Sequence, residues 1–313
     1  MQGMAMLIAF VDTDTHNSYP MHTRVRNLIH RQTHRIRLKG TSYATDGIDR
    51  IRAEIFVRRV PADAIRTALF FVGSPRSGTT LINTLLCAHP MILLGHEVNA
   101  MKRMNDGANW PAVMRRIVWS AFCYERVQAW SGYSYRVSYQ ARHDPANLRV
   151  IGDKAAGKTS TASYSEGFQK FLEWVPYPVT FFHIVRHPMD VISTHMMRSK
   201  CTLRQALPTY FGQQKAAMEA QNAVDARRFI RVRLEELIAQ PRATLQDIIE
   251  RLDLPVFSEY LDACASVVFP QPKRSRSSFP WTAESIAEVK SRAAAFPHLQ
   301  AYCADEASWS IDR

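Results

Sequence analysis

Cysteine is scarce in this chain of 313 residues. The five present (Cys87, Cys123, Cys201, Cys264, Cys303) make no close pair and an odd number, which argues against a disulfide framework and a zinc cluster. A reducing, cytoplasmic compartment fits that usage. Long apolar runs are also lacking. The longest near the start, Met4 to Val11, has no basic cluster beside it, whereas a bilayer span needs about twenty apolar residues and a signal peptide a charged leader. No membrane anchor or secretory signal is expected. Acidic residues are in the minority, 28 against 40 Lys plus Arg, and the net charge of +12 favours anionic partners such as a nucleotide, nucleic acid or acidic lipid. What is there, at 46% hydrophobic and 22% charged, suffices for one large α/β domain or two small ones with a real core.

Residues 1–66 show no clear periodicity beyond a basic stretch from His22 to Lys39, and read as an N-terminal extension. From there the texture changes. Ala68 to Val72 is a continuous apolar run bounded by Gly73 and Pro75, as in a buried parallel strand. Leu81, Ile82, Leu85 and Leu86 then recur at helical spacing until Pro90 stops them. Met101 to Arg149 reads as helix and loop. Further strands are expected at Leu148 to Ile151, Val179 to Val185 and Phe229 to Val232, the last two each followed by a helix, and Trp281 should open a final helix. Strand-then-helix order implies a P-loop-like parallel β-sheet with helices on both faces, a single α/β domain over 67–313.

The first strand delivers the chain into Gly73-Ser-Pro-Arg-Ser-Gly-Thr-Thr80, a glycine-containing turn opening a helix. Free backbone N–H groups and the helix dipole favour a phosphate or sulfate there. Gly78 lets the backbone close in, and Ser77, Thr79 and Thr80 add hydroxyl donors. The Gly73-x4-Gly78 spacing is that of an ATP-binding phosphate loop, but Thr79 stands where its Lys belongs, so Arg76 must carry the charge. A second string, Gly152-Asp-Lys-Ala-Ala-Gly157-Lys158-Thr159, satisfies that phosphate-loop pattern letter for letter and supports an alternative reading as an ATP-dependent kinase or NTPase. Its context is poor, with a short apolar lead-in and Arg186 where a magnesium-binding Asp would be expected. A third class, a nucleic-acid binder, rests on net charge alone, with no basic-aromatic motif of the usual kind.

At this point the residues resemble the PAPS-dependent sulfotransferases, especially the bacterial and tyrosylprotein branch, whose phosphosulfate loop reads as Pro75 to Thr80 does here. Gly95-His-Glu97, Gly152-Asp-Lys154 and Val185-Arg186-His-Pro-Met-Asp190 match further blocks in order. A looser block is Arg233 to Pro241, with Leu234 where the family usually has Tyr. The resemblance spans roughly residues 68 to 281.

The resemblance implies PAPS as donor, PAP as product, and in-line transfer of a sulfuryl group to an acceptor hydroxyl without a metal. Arg76 would face the 5′-phosphosulfate, its planar guanidinium able to hold two oxygens. Lys154 would add a second cation. Glu97 is the expected general base, with His96 as the alternative and a surface pairing of Glu97 with Lys102 or Arg103 as the bland reading. Arg186 would bind the 3′-phosphate at a strand's carboxyl end, helped by Thr194 or, failing that, Ser193. Asp190 reads as a helix cap. Lys273, Arg274 and Arg276 resemble the family's C-terminal loop over the 3′-phosphate, or are a solvated charge run.

Trp110, Trp119, Phe122, Tyr124, Trp130, Tyr133, Tyr135 and Tyr139 crowd one stretch, and could line an acceptor pocket or form a local core. The acceptor class stays open among carbohydrate, lipid, small molecule and peptide, although Asn99, where the tyrosylprotein branch has a substrate-contacting Arg, tells against an acidic tyrosine peptide. No nucleic acid is expected as a partner; peripheral membrane contact is compatible with the basic N-terminal stretch.

Overall fold

The computed structural model describes residues 47–127, 135–139, 143–162 and 167–310. Five strands form one all-parallel sheet: β1 Thr67–Val72, β2 Ile92–His96, β3 Val150–Lys154, β4 Val179–Val185 and β5 Phe229–Arg233, in the order β2-β3-β1-β4-β5. β1 lies in the middle, consistent with its uninterrupted apolar run, since a central parallel strand has no face toward water.

Successive β1 side chains point to opposite faces. Ala68, Phe70 and Val72 enter one core with Trp110, Val113, Ile117 and Phe122 of α2 (Trp110–Val127). Leu69 and Phe71 enter the other with Leu81, Ile82, Leu85 and Leu86 of α1 (Thr79–Cys87) and with Leu245, Ile248 and Ile249. Helices therefore cover both faces, as expected. Each such fully buried Leu, Ile or Phe contributes about 1.5–3 kcal/mol through lost apolar exposure.

The remaining helices that bear on the site are α3 (Ala156–Ala162), α4 (Pro188–Ser199), α5 (Leu203–Asn222) and α6 (Leu234–Ala239). α4 starts with Pro at its first position, where the missing N–H costs nothing. A third core gathers Met189 and Ile192 of α4, Leu207 and Tyr210 of α5, and Trp281, Tyr302 and Trp309 from the C-terminal segment.

Several boundaries differ from the sequence reading. Ahead of β1, Ala53, Phe56 and Ile65 pack into the first core. The basic stretch His22 to Lys39 lies outside the described residues. β2 went unread because it is five residues long and contains Gly95. Trp281 precedes the next helix, Ala283–Ala293, and packs against α4 without opening it. The eight aromatics do not make one pocket. Trp110 and Phe122 belong to the first core, Tyr135 and Tyr139 pack against the second, and Trp130 and Tyr133 lie outside the described residues. Among the described residues no helix is long and apolar enough to cross a membrane.

Candidate active site

Parallel strands finish together at one edge, and here all five carboxyl ends carry the residues of interest. β1 runs into the Gly73–Thr80 loop, β2 into Glu97, β3 ends at Lys154, β4 runs into Arg186, and β5 ends at Arg233. Open α/β sheets bind their ligands at that edge.

The loop is held from several sides. Gly73 N–H donates to Ser160 Oγ at 2.8 Å, Gln214 of α5 donates to Ser74 Oγ at 2.9 Å, and a side chain at Gly157 would collide with Pro75. Gly78, with φ 98°, caps α1 in a left-handed conformation, and a Cβ there would lie 2.6 Å from the Leu234 side chain. Leu234 is thus packed beneath the loop. No side chain caps α1, so its first-turn N–H groups stay open to an anion. Arg76 has φ 75°, a left-handed conformation unusual for a residue with a side chain.

Glu97 follows directly from the β2–β3 register, in which His96 lies opposite Lys154. The Glu97 N–H donates to the Lys154 carbonyl at 3.2 Å, and Lys154 Nζ returns to the Glu97 carboxylate at 2.7 Å. Lys158, one turn along α3, reaches the other oxygen at 3.5 Å. Lys154 is buried at 3% exposure, whereas Glu97 remains 41% exposed and open to an incoming group. Burial pulls the Glu97 carboxyl upward, but the charge and hydrogen bond of Lys154, with Lys158, outweigh it and leave the group below its ordinary value. Burial, and then Arg76, lower Lys154, while Glu97 and Asp153 support its charge. Lys102 and Arg103 are occupied elsewhere, on Asp106 and on the Val98 carbonyl, so the bland surface pairing of Glu97 does not occur.

His96 is placed differently. It is buried, its ring stacks on Tyr124 with centroids 4.1 Å apart, and burial followed by the charge of Lys154 pushes it down to about 3. That is a poor base at neutral pH.

Asp153 is a residue the sequence reading passed over. Fully buried, it accepts from the Val98 and Ala100 N–H groups, each at 3.0 Å, and so fixes the turn that presents Glu97, itself left-handed at φ 59°. Its place between Gly152 and Lys154 in a matched block was the available signal.

Arg186, 8% exposed, donates from one Nη to the Arg76 carbonyl at 3.1 Å. Its other Nη donates to the Lys273 carbonyl and to Ser275 Oγ. Its Nε–H has no partner among the described residues. Burial, then Arg276, Arg186, Arg233 and Arg274, push the neighbouring His187 down to about 2, which marks a concentration of positive charge at this corner. Asp190 is no helix cap. It accepts the Arg276 N–H at 2.8 Å and pairs with that guanidinium at 3.5 Å, docking the 273–278 loop onto α4. Arg276 is accordingly buried, whereas Lys273 and Arg274 of the late basic run are exposed. Of the two candidate hydroxyls on α4, Ser193 is fully buried and accepts from the Trp281 indole at 3.1 Å. Thr194 donates to the Asp190 carbonyl at 2.7 Å within its own helix.

The second phosphate-loop string is not a loop. Gly152, Asp153 and Lys154 lie in β3 while Gly157, Lys158 and Thr159 lie in α3, with only Ala155 between. Gly152 is required because a Cβ would fall 1.7 Å from the Leu69 carbonyl of β1. The kinase reading loses its geometric basis.

The sheet thus carries a basic loop and an ion-paired carboxylate at its carboxyl edge. The Sulfotransferase family matches residues 68–259, well over half of the chain, and the chain belongs to that family. It is an enzyme of the sulfotransferase class. Among solved structures it is similar to a sulfotransferase from Alicyclobacillus acidocaldarius (15% identity, 78% of this chain and 98% of that one, TM-score 0.48). It is also similar to the sulfotransferase domain of the Synechococcus olefin synthase (18%, 76% and 97%, 0.47) and to a mouse sulfotransferase complexed with PAP (13%, 77% and 91%, 0.40). No curated protein matches it.

Proposed function

We propose that the chain transfers a sulfuryl group from PAPS to an acceptor hydroxyl, with Glu97 as general base. The observation carrying this is the Glu97–Lys154 ion pair, set beside the 73–80 loop and half open to solvent. The residues fit a donor that is anionic at both ends. Arg76 and the open start of α1 form one basic cradle, and the buried Arg186 with its unpartnered Nε–H forms the other. When bound, PAPS supplies the sulfuryl group and a phosphate oxygen as leaving group.

The chain's own residues then divide the work. Arg76, Ser77, Gly78, Thr79 and Thr80 hold the 5′ end, and Arg76 and Lys154 stabilise charge there as the bond to the leaving oxygen breaks. Glu97, kept ionised by Lys154 and Lys158, takes the proton from the acceptor hydroxyl. Arg186 and Thr194 receive the 3′-phosphate, with the 273–278 loop closing that corner. No part of this scheme calls for a metal ion.

Thermal stabilisation by PAP, by ATP with magnesium and by an oligonucleotide tests the reading. PAP in the presence of EDTA should raise the melting temperature of the wild type and of Lys158→Ala, and fail to do so for Arg76→Ala and Arg186→Ala. Loss of nucleotide binding in Lys158→Ala alone, or stabilisation only by ATP with magnesium, would overturn it.

A further inference from the structure

We infer that Arg186 is also a positioning residue for the opposite end of the donor site, holding Arg76 in its left-handed conformation through the Arg76 carbonyl. The inference rests on the proposed donor reading and goes beyond it, because there Arg186 serves the 3′-phosphate only. A guanidinium offers five N–H donors in a rigid fork. In this structure one Nη is spent on the Arg76 carbonyl at 3.1 Å and the other on the Lys273 carbonyl and Ser275 Oγ. The Nε–H and the second hydrogen of the Nη on the Arg76 carbonyl are the donors left over for an anion.

The geometry makes the link mechanical. β1 and β4 are paired in parallel, with Val72 opposite His183, so the residue just past β4 lies beside the loop just past β1. Arg76 adopts φ 75°, a conformation that a residue with a Cβ holds only when its neighbours enforce it. A carbonyl pinned by a buried cation is such an enforcer, and it fixes the peptide plane whose N–H belongs to Ser77 in the loop. Arg186 thereby ties the 73–80 loop to the 273–278 loop, and the two halves of the donor site are ordered together.

Ligand truncation tests this. Dissociation constants for PAP, which has both phosphates, and for AMP, which has only the 5′-phosphate, are measured by calorimetry on the full chain. The variants are Arg186→Ala, Arg186→Lys, Arg76→Ala and the Arg76→Ala/Arg186→Ala double variant, each with its melting temperature. Arg186→Ala should weaken AMP about tenfold as well as weakening PAP, the loss expected for one charge-assisted hydrogen bond. Arg76→Ala keeps the carbonyl that Arg186 holds, so the double variant should lose AMP affinity by about the same further factor that Arg186→Ala loses on its own. Unchanged AMP binding in Arg186→Ala, or no further loss in the double variant, would overturn the inference while leaving the donor reading intact. Equal affinity of the wild type for PAP and AMP would instead strike at the donor reading. Should Arg186→Ala not fold, Arg186→Lys, which keeps the charge but not the fork, decides by the same comparison: unchanged AMP affinity overturns the inference.

Discussion

Glu97 and Lys154 meet at 2.7 Å although 57 residues separate them in the chain. Adjacent strand ends bring them together, and the exposure is unequal: the lysine is sealed in while the carboxylate faces outward. A fixed cation with an accessible base beside it suits an enzyme that must keep a carboxylate ionised and still offer it to a hydroxyl.

Replacing the carboxylate by its amide should therefore separate chemistry from binding. Glu97→Gln is expected to lower turnover by about a hundred- to ten-thousand-fold, the usual share of a positioned base, with PAP affinity within a few-fold of wild type. Single-turnover kinetics with PAPS, alongside calorimetry with PAP, make the comparison. Turnover at the wild-type rate would remove Glu97 from the mechanism.

The pH profile carries the signature of the same pair. Glu97 sits below its ordinary value, so the base stays ionised, and kcat/KM should hold up on the acid side until below the usual carboxylate range. Removing one of the two cations with Lys158→Met should move that acid limb upward. A wild-type limb near pH 6.5 would contradict a carboxylate base held in this way.

Asp153 predicts a stability effect of the opposite sign. Burial pushes it up to about 6 from 3.8, against the pull of the Ala100 and Val98 N–H groups. The native state therefore binds this proton more tightly than the unfolded chain. The contribution is fully present below pH 3.8 and is lost as pH rises through about 6, at most about 3 kcal/mol. Urea unfolding of wild type and Asp153→Asn between pH 4 and 7 should show the wild type losing ground relative to the variant as pH rises. A constant difference would show that Asp153 does not titrate in this range.

Much of this was legible in the sequence because the chemistry rides on short strings. The β1 run, the Gly73–Thr80 turn and Arg186 at the end of a strand are each local, and local order decides that an apolar run followed by a glycine turn becomes a strand feeding a helix. What stayed hidden is non-local. Nothing near Asp153 says that its oxygens will hold the Val98–Ala100 turn, nor near Gln214 that it will reach Ser74. The aromatic stretch misled for a related reason. A count of rings does not tell which face of the sheet each will serve, and the rings here went to opposite cores.

Gly152 imitates a nucleotide-loop glycine, yet what it provides is proximity. There is no room for even a methyl group between β3 and the Leu69 carbonyl, two residues before β3 ends in Lys154. An atom that is missing thus lets the two strands close beneath Lys154 and the Gly73–Thr80 loop. A larger residue at that point would push β3 and β1 apart and so disturb both strand ends without replacing any residue of the proposed site.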